Sequence, residues 1–158
     1  MNILDFAINM EKEGEAFYHV LADGNKDNAL FTVFSALAED EKHHARIIAA
    51  FHQDDRIKLP DGDLPKSAGI FNKHIITDIK QKPEQIDAYR EALRKEKESI
   101  DLYLSLMENS ENLAEKDMFG FLIEQEESHF STIENLIFHL EKAESWVESA
   151  EFGIREDY

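Results

Sequence analysis

LAEDEKHHARI, residues 37–47, is the stretch on which the fold turns. Leu37, Glu41 and His44 follow one another at steps of four and three, and Ile48 continues the series. Such steps place side chains on one face of a helix. Leu30, Phe34 and Phe51 extend the same face in both directions. The stretch therefore predicts a helix from about Asp27 to His52 whose apolar stripe is interrupted by an acid and an imidazole.

Working outward, the same pattern recurs at a fixed offset of 85 residues. Phe34, Leu37, Glu41, His44 and Ile48 correspond to Phe119, Leu122, Glu126, His129 and Ile133, and Glu11 and Tyr18 correspond to Glu96 and Tyr103. The first helix, from about Asn2 to Asp23, carries Leu4, Ala7, Glu11, Gly14, Tyr18 and Leu21 on one face and stops near Gly24. A third, opened by Pro83 and ending near Glu108, carries Ile86, Tyr89, Leu93, Glu96, Ile100, Tyr103 and Met107. A fourth, with Ser110 as its cap, runs to about Lys142 and adds Leu136 and Leu140 to its stripe. Each stripe is mostly apolar, and each has an ionisable interruption part-way along. Short links join helices one to two and three to four, which predicts antiparallel hairpins. A connection of roughly 30 residues joins the hairpins, long enough to cross a bundle lengthwise. Within it, HIITDIK (74–80) can add a short helix. The fold class is therefore all-α: a four-helix bundle with one long crossover between helices 2 and 3. The bundle occupies residues 1–143, and 144–158 form a C-terminal tail in which Trp146 and Phe152 offer docking side chains.

Composition bounds the function. The chain has 158 residues, enough for one domain with a sizeable core, and only 6 Gly and 3 Pro to interrupt helices. The net charge of −17 disfavours nucleic acid and anionic membranes and attracts cations. No apolar run approaches the ~20 residues that span a bilayer. The opening MNILDFAINMEKEGE turns acidic at once, unlike a secretory signal, so a cytoplasmic location is expected. With no cysteine, disulfides, thiolate nucleophiles, iron–sulfur clusters and Cys-based zinc sites are excluded.

The interruptions carry the chemistry. A Glu-x-x-His step alone is weak, since composition predicts about one by chance. Two such steps in core stripes, with one Glu in each remaining stripe, are far more specific. A lone Glu on such a face usually lies near a helix end or pairs with Lys or Arg, yet no Lys or Arg shares these stripes. Burying a carboxylate costs several kcal/mol even after relaxation, and four in one layer also repel. Protonation relieves part of that cost. Two divalent cations match four carboxylates fully. Carboxylate and imidazole donors suit iron(II), manganese(II) and zinc, whereas calcium prefers oxygen alone. Two Glu can bridge the metals, two can bind terminally, and each metal can take one His. The candidate metal ligands are Glu11, Glu41, His44, Glu96, Glu126 and His129. Tyr18 and Tyr103 either pack with a hydrogen bond or orient ligands. His43 should face solvent.

These motifs resemble a known family. One Glu from each of two helices and Glu-x-x-His from the other two is the arrangement of ferritin-like carboxylate proteins. More narrowly, MEKEGEAFYHVLA (10–22), LAEDEKHHARI (37–47), EKESIDLY (96–103) and EQEESHF (124–130) resemble the four helices of rubrerythrins. The resemblance spans most of residues 2–142. It implies a di-iron centre on the six ligands, with manganese or zinc as possible substitutes. Two departures stand out. Rubrerythrins typically carry a rubredoxin domain with cysteine-bound iron; this chain resembles the shorter members without it. They also have an extra Glu three residues after the third-helix ligand, where this chain has Ser99.

The resemblance implies a redox enzyme that reduces hydrogen peroxide, with electrons from an external donor such as a rubredoxin-like protein. A ferroxidase or iron-handling protein using dioxygen is the alternative, and a bundle that metals merely stabilise is a third. A homodimer or higher homo-oligomer is expected.

Overall fold

The computed structural model describes residues 2–60, 64–68 and 83–156, with side chains described through Lys142. Among the described residues four α-helices make up the fold: α1 (Ile3–Asp23), α2 (Leu30–Gln53), α3 (Ile86–Asn109) and α4 (Leu113–Glu156), with a 3₁₀ turn, Pro83–Gln85, leading into α3. The described residues contain no strand, and no described helix is long and apolar enough to cross a membrane.

The helix ends follow from their capping groups. Asn2 starts α1 by accepting the Leu4 N–H at 2.7 Å, and Asn28 does the same for Leu30 at 2.9 Å. At the start of α4 the cap is Asn112, which accepts from the Glu115 N–H, rather than Ser110. Ser110 lies in extended backbone at the end of α3, where its Oγ accepts from the Asn112 N–H and shapes the turn. Either side chain can cap; the turn leaves only Asn112 next to the first helical residue.

α1 pairs most extensively with α2, and α3 with α4. Leu4 shares a cluster with Phe51, and Leu21 shares one with Leu30, so the first hairpin is antiparallel. The buried Asn25 stitches that hairpin's turn to the second, donating to Leu21 O, Gln85 Oε1 and the Tyr89 hydroxyl. The expected stripes are the inward faces. Of the positions named for α2, from Leu30 to Phe51, all are buried, and so are those named for α4 from Phe119 to Leu140.

The core has two apolar halves. One gathers Leu30, Phe34, Leu37, Tyr89, Ile133 and Leu136; the other gathers Leu4, Ile48, Phe51, Met118, Phe119 and Leu122. The offset of 85 is visible in their packing. Tyr18 stacks on Phe34 at 6.3 Å between ring centroids, and Tyr103 on Phe119 at 5.9 Å. All six candidate metal ligands are buried in this interior.

α4 runs helically to Glu156, well past the position near 142 where its stripe weakens. No residue that breaks a helix occurs there before Gly153, and the intervening Glu and Ala favour helix. The suggested helix at 74–80 and the docking side chains Trp146 and Phe152 lie outside the described residues and side chains.

Candidate metal centre

Glu41 and His44 stand one turn apart on α2, and Glu126 and His129 likewise on α4; Glu11 comes from α1 and Glu96 from α3. The fold brings all six together, none more than 4% exposed. Their donor atoms form two overlapping quartets. Glu11, Glu41, His44 and Glu126 make one, and Glu41, Glu96, Glu126 and His129 make the other, with the atoms in each lying within 4.8 Å of one another. Glu41 and Glu126 belong to both. A pair of metal ions held here would be bridged by these two, with Glu11 and His44 on one ion and Glu96 and His129 on the other.

The imidazoles are oriented for this. His44 turns Nδ1 inward, 3.2 Å from Glu126 and 3.4 Å from Glu11. Its Nε2–H donates outward to Gln125 Oε1 at 3.0 Å. His129 turns Nδ1 to Glu41 at 2.9 Å, and its Nε2–H donates to Asp40 Oδ2 at 3.1 Å. An outward N–H held by an acceptor leaves the inward nitrogen as the one that can bind metal.

The tyrosines reach across the bundle. Tyr18 of α1 donates to Glu96 of α3, and Tyr103 of α3 donates to Glu11 of α1. Burial and the surrounding carboxylates push both phenols well above their ordinary range, so they remain donors.

Burial opposes every charge in the layer. For Glu41 and Glu126 burial and neighbouring carboxylates act together, and both are pushed well up. For Glu11 burial is outweighed by a hydrogen bond from Glu41 and the charge of His44, which lower it to about 2. Glu96 is lowered in the same way, chiefly by His129. Both imidazoles overcome burial through their carboxylate neighbours: His44 is raised to about 10 and His129 well above its ordinary value. In the layer, burial and repulsion thus favour protons on Glu41 and Glu126, while Glu11 and Glu96 favour their ionised forms and the two imidazoles their charged ones. Those protons offset part of the repulsion among the carboxylates.

They do so imperfectly. The Oε2 atoms of Glu11, Glu96 and Glu126 are buried and accept no hydrogen bond. A buried acceptor without a donor is costly. Each belongs to a carboxylate of the quartets, so the donor set fits a pair of metal ions.

A cavity of about 80 Å³ opens from the surface between α1 and α3 onto Glu41 and Glu96. Met10, Glu13, Gly14, Lys95, Glu98 and Ser99 line it. Gly14 stands close to the site: a Cβ there would meet Glu41 Oε2 at 3.0 Å, so the carboxylate would have to give by a few tenths of an ångström. Ser99, the counterpart of Gly14 at the offset of 85, donates its hydroxyl to Lys95 O at 3.1 Å and carries no carboxylate toward the site.

His43 is exposed, as expected. His19 pairs with Glu15 at 3.7 Å on the surface of α1. His74 lies outside the described residues. Asp40 and Gln125 were missed by the stripe analysis, although one stands immediately before each Glu-x-x-His step and the offset of 85 relates them. Their side chains differ, so matching identities did not expose them.

A family model described as Rubrerythrin matches residues 2–137. No curated protein and no solved structure gives a significant match.

Proposed function

The chain belongs to the rubrerythrin family, and on that basis we propose that it is a di-iron redox protein that reduces hydrogen peroxide with electrons from an external donor. The observation that carries this reading is the pair of overlapping quartets sharing Glu41 and Glu126. Two adjacent iron(II) ions bound by these quartets would supply the two electrons that cleavage of a peroxide O–O bond needs.

The chain's own residues do the rest. Glu11 and Glu96, fixed by Tyr103 and Tyr18, hold the terminal positions. Gln125 and Asp40 orient the imidazoles. The cavity beside Gly14 has room for a small molecule such as peroxide or water. Reducing one peroxide to two waters consumes two protons as well as two electrons, and water in the same cavity can deliver them. The chain has no cysteine to hold a relay iron, so turnover draws on a separate reductant such as a rubredoxin-like protein.

A second reading, oxidation of iron(II) by dioxygen, draws on the acids Glu13 and Glu98 at the cavity, which favour entry of a cation. Anaerobic reconstitution with iron(II) should load close to two ions per chain, and each loaded pair should consume about one peroxide in a single turnover. A content of zero or one overturns the two-metal reading. Oxidation by dioxygen much faster than by peroxide overturns the peroxidase reading in favour of the ferroxidase.

A further inference from the structure

The correspondence between the two hairpins breaks in charge beside the imidazoles. His129 donates to Asp40, whereas His44 donates to Gln125. The distances are nearly equal, 3.1 and 3.0 Å, and both acceptors are buried. The other partners match across the same relation. Glu41 and Glu126 are common to both quartets, and Tyr18 on Glu96 mirrors Tyr103 on Glu11. Among the described hydrogen-bond partners of the six ligands, a carboxylate on one side and an amide on the other is the difference in charge.

We propose that Asp40 makes the two metal positions unequal, so that the position formed by Glu96 and His129 binds a divalent metal more tightly and fills before the one formed by Glu11 and His44. This rests on the two-metal reading of the site. A carboxylate accepting the outer N–H makes a stronger hydrogen bond than an amide and increases the donor strength of the inner nitrogen. It also places a negative charge beside one metal and not the other.

Asp40 is built to stay there. Its Oδ1 accepts the Lys66 N–H at 2.7 Å, and its Oδ2 accepts the Ser67 N–H at 3.1 Å and the Ser67 hydroxyl at 2.8 Å. Those donors belong to the crossover, and Ser67 is fully buried. The crossover thus clamps the carboxylate against His129. A residue that supports a ligand in this way typically changes metal affinity by about 10–100-fold when altered.

The test is a titration of the metal-free full chain with cobalt(II), followed by calorimetry and by the visible spectrum of the bound ion. Two resolved steps of one equivalent each are expected. Asp40→Asn should weaken the first step by about 10–100-fold and merge the two. Gln125→Glu should tighten the second step toward the first, a gain that loosening of the fold cannot produce and that carries the test if Asp40→Asn does not fold. Ser67→Ala removes one bond to Asp40 but keeps its charge, so two steps should persist. Two equal sites in the unaltered protein overturn the proposal, as does a first step unmoved by Asp40→Asn or a second step unmoved by Gln125→Glu. Binding of no cobalt, or of one equivalent, instead overturns the two-metal reading beneath it.

Discussion

The Tyr103 hydroxyl on α3 donates to the Glu11 carboxylate on α1, tying one hairpin to the other through a terminal ligand position. Tyr103→Phe keeps the ring packed on Phe119 but leaves a buried carboxylate oxygen without its donor. The metal-free protein should lose about 1–3 kcal/mol. Tyr18→Phe should behave alike through Glu96. Chemical denaturation of both variants checks this, and unchanged midpoints would show that these bonds contribute nothing.

Metal loading should release protons. Burial and neighbouring carboxylates favour the protonated forms of Glu41 and Glu126, and the carboxylates favour those of His44 and His129. Ligands must shed these protons to bind. Filling both positions should release more than one and up to about four protons per chain, readable from calorimetry in buffers of different ionisation enthalpy. A release of one or fewer would mean that the layer is not protonated as described.

The same shifts set the pH dependence of the metal-free fold. His44, raised from 6.5 to about 10, contributes stability that is complete below 6.5 and lost as pH rises to 10. Glu41 and Glu126, raised above 4.5, also favour the fold less as pH climbs past that value. Glu11, lowered from 4.5 to about 2, contributes stability that is complete above 4.5 and lost as pH falls to 2. The metal-free melting temperature should therefore peak in mild acid, between about 4.5 and 6.5, and decline on both sides. Bound metal should raise it most on the alkaline side of that peak, where protons no longer substitute. A metal-free protein most stable above pH 8 would contradict these signs.

Shared and terminal ligands should separate by mutation. Glu41→Ala or Glu126→Ala removes a donor common to both quartets and should lower occupancy of both positions. Glu11→Ala should chiefly empty the position that includes His44. Metal analysis after reconstitution distinguishes these outcomes, and loss of a single metal from Glu41→Ala would refute its bridging role.

Gly14→Ala tests the close approach. The added Cβ meets Glu41 Oε2 at 3.0 Å, so the carboxylate must shift by a few tenths of an ångström. Alanine is the better helix former by about 1 kcal/mol, so the metal-free helix should not suffer. Metal affinity and the rate of oxidation should fall while metal-free stability holds. Equal affinities in variant and parent would show that Glu41 has room to spare.

Much of this was legible from spacing alone. Six ligands on four stripes, with one offset relating the halves, determine which faces meet, because burial of an apolar stripe leaves few alternatives. Asp40 was not legible. It sits about 100° around the helix from Glu41, where an acid normally faces water. Its burial depends on Lys66 and Ser67 folding over it, and no periodicity in α2 records that contact. The start of α4 was ambiguous for a similar reason: Ser110 and Asn112 are both good caps, and the turn decides between them.

The polar layer is stitched almost wholly from one hairpin to the other: Tyr18 to Glu96, Tyr103 to Glu11, His44 to Gln125 and His129 to Asp40. Two copies of a single hairpin, associating as a symmetric dimer, could make the same set of bonds. Such a dimer would be obliged to place the same residue beside both imidazoles, Asp with Asp or Gln with Gln, because a two-fold axis permits no other choice. Joining the hairpins in one chain lifts that obligation. The crossover is thus more than a tether: covalent fusion leaves the two halves free to differ, and Asp40, held by the crossover itself, is a position where they do so beside a ligand.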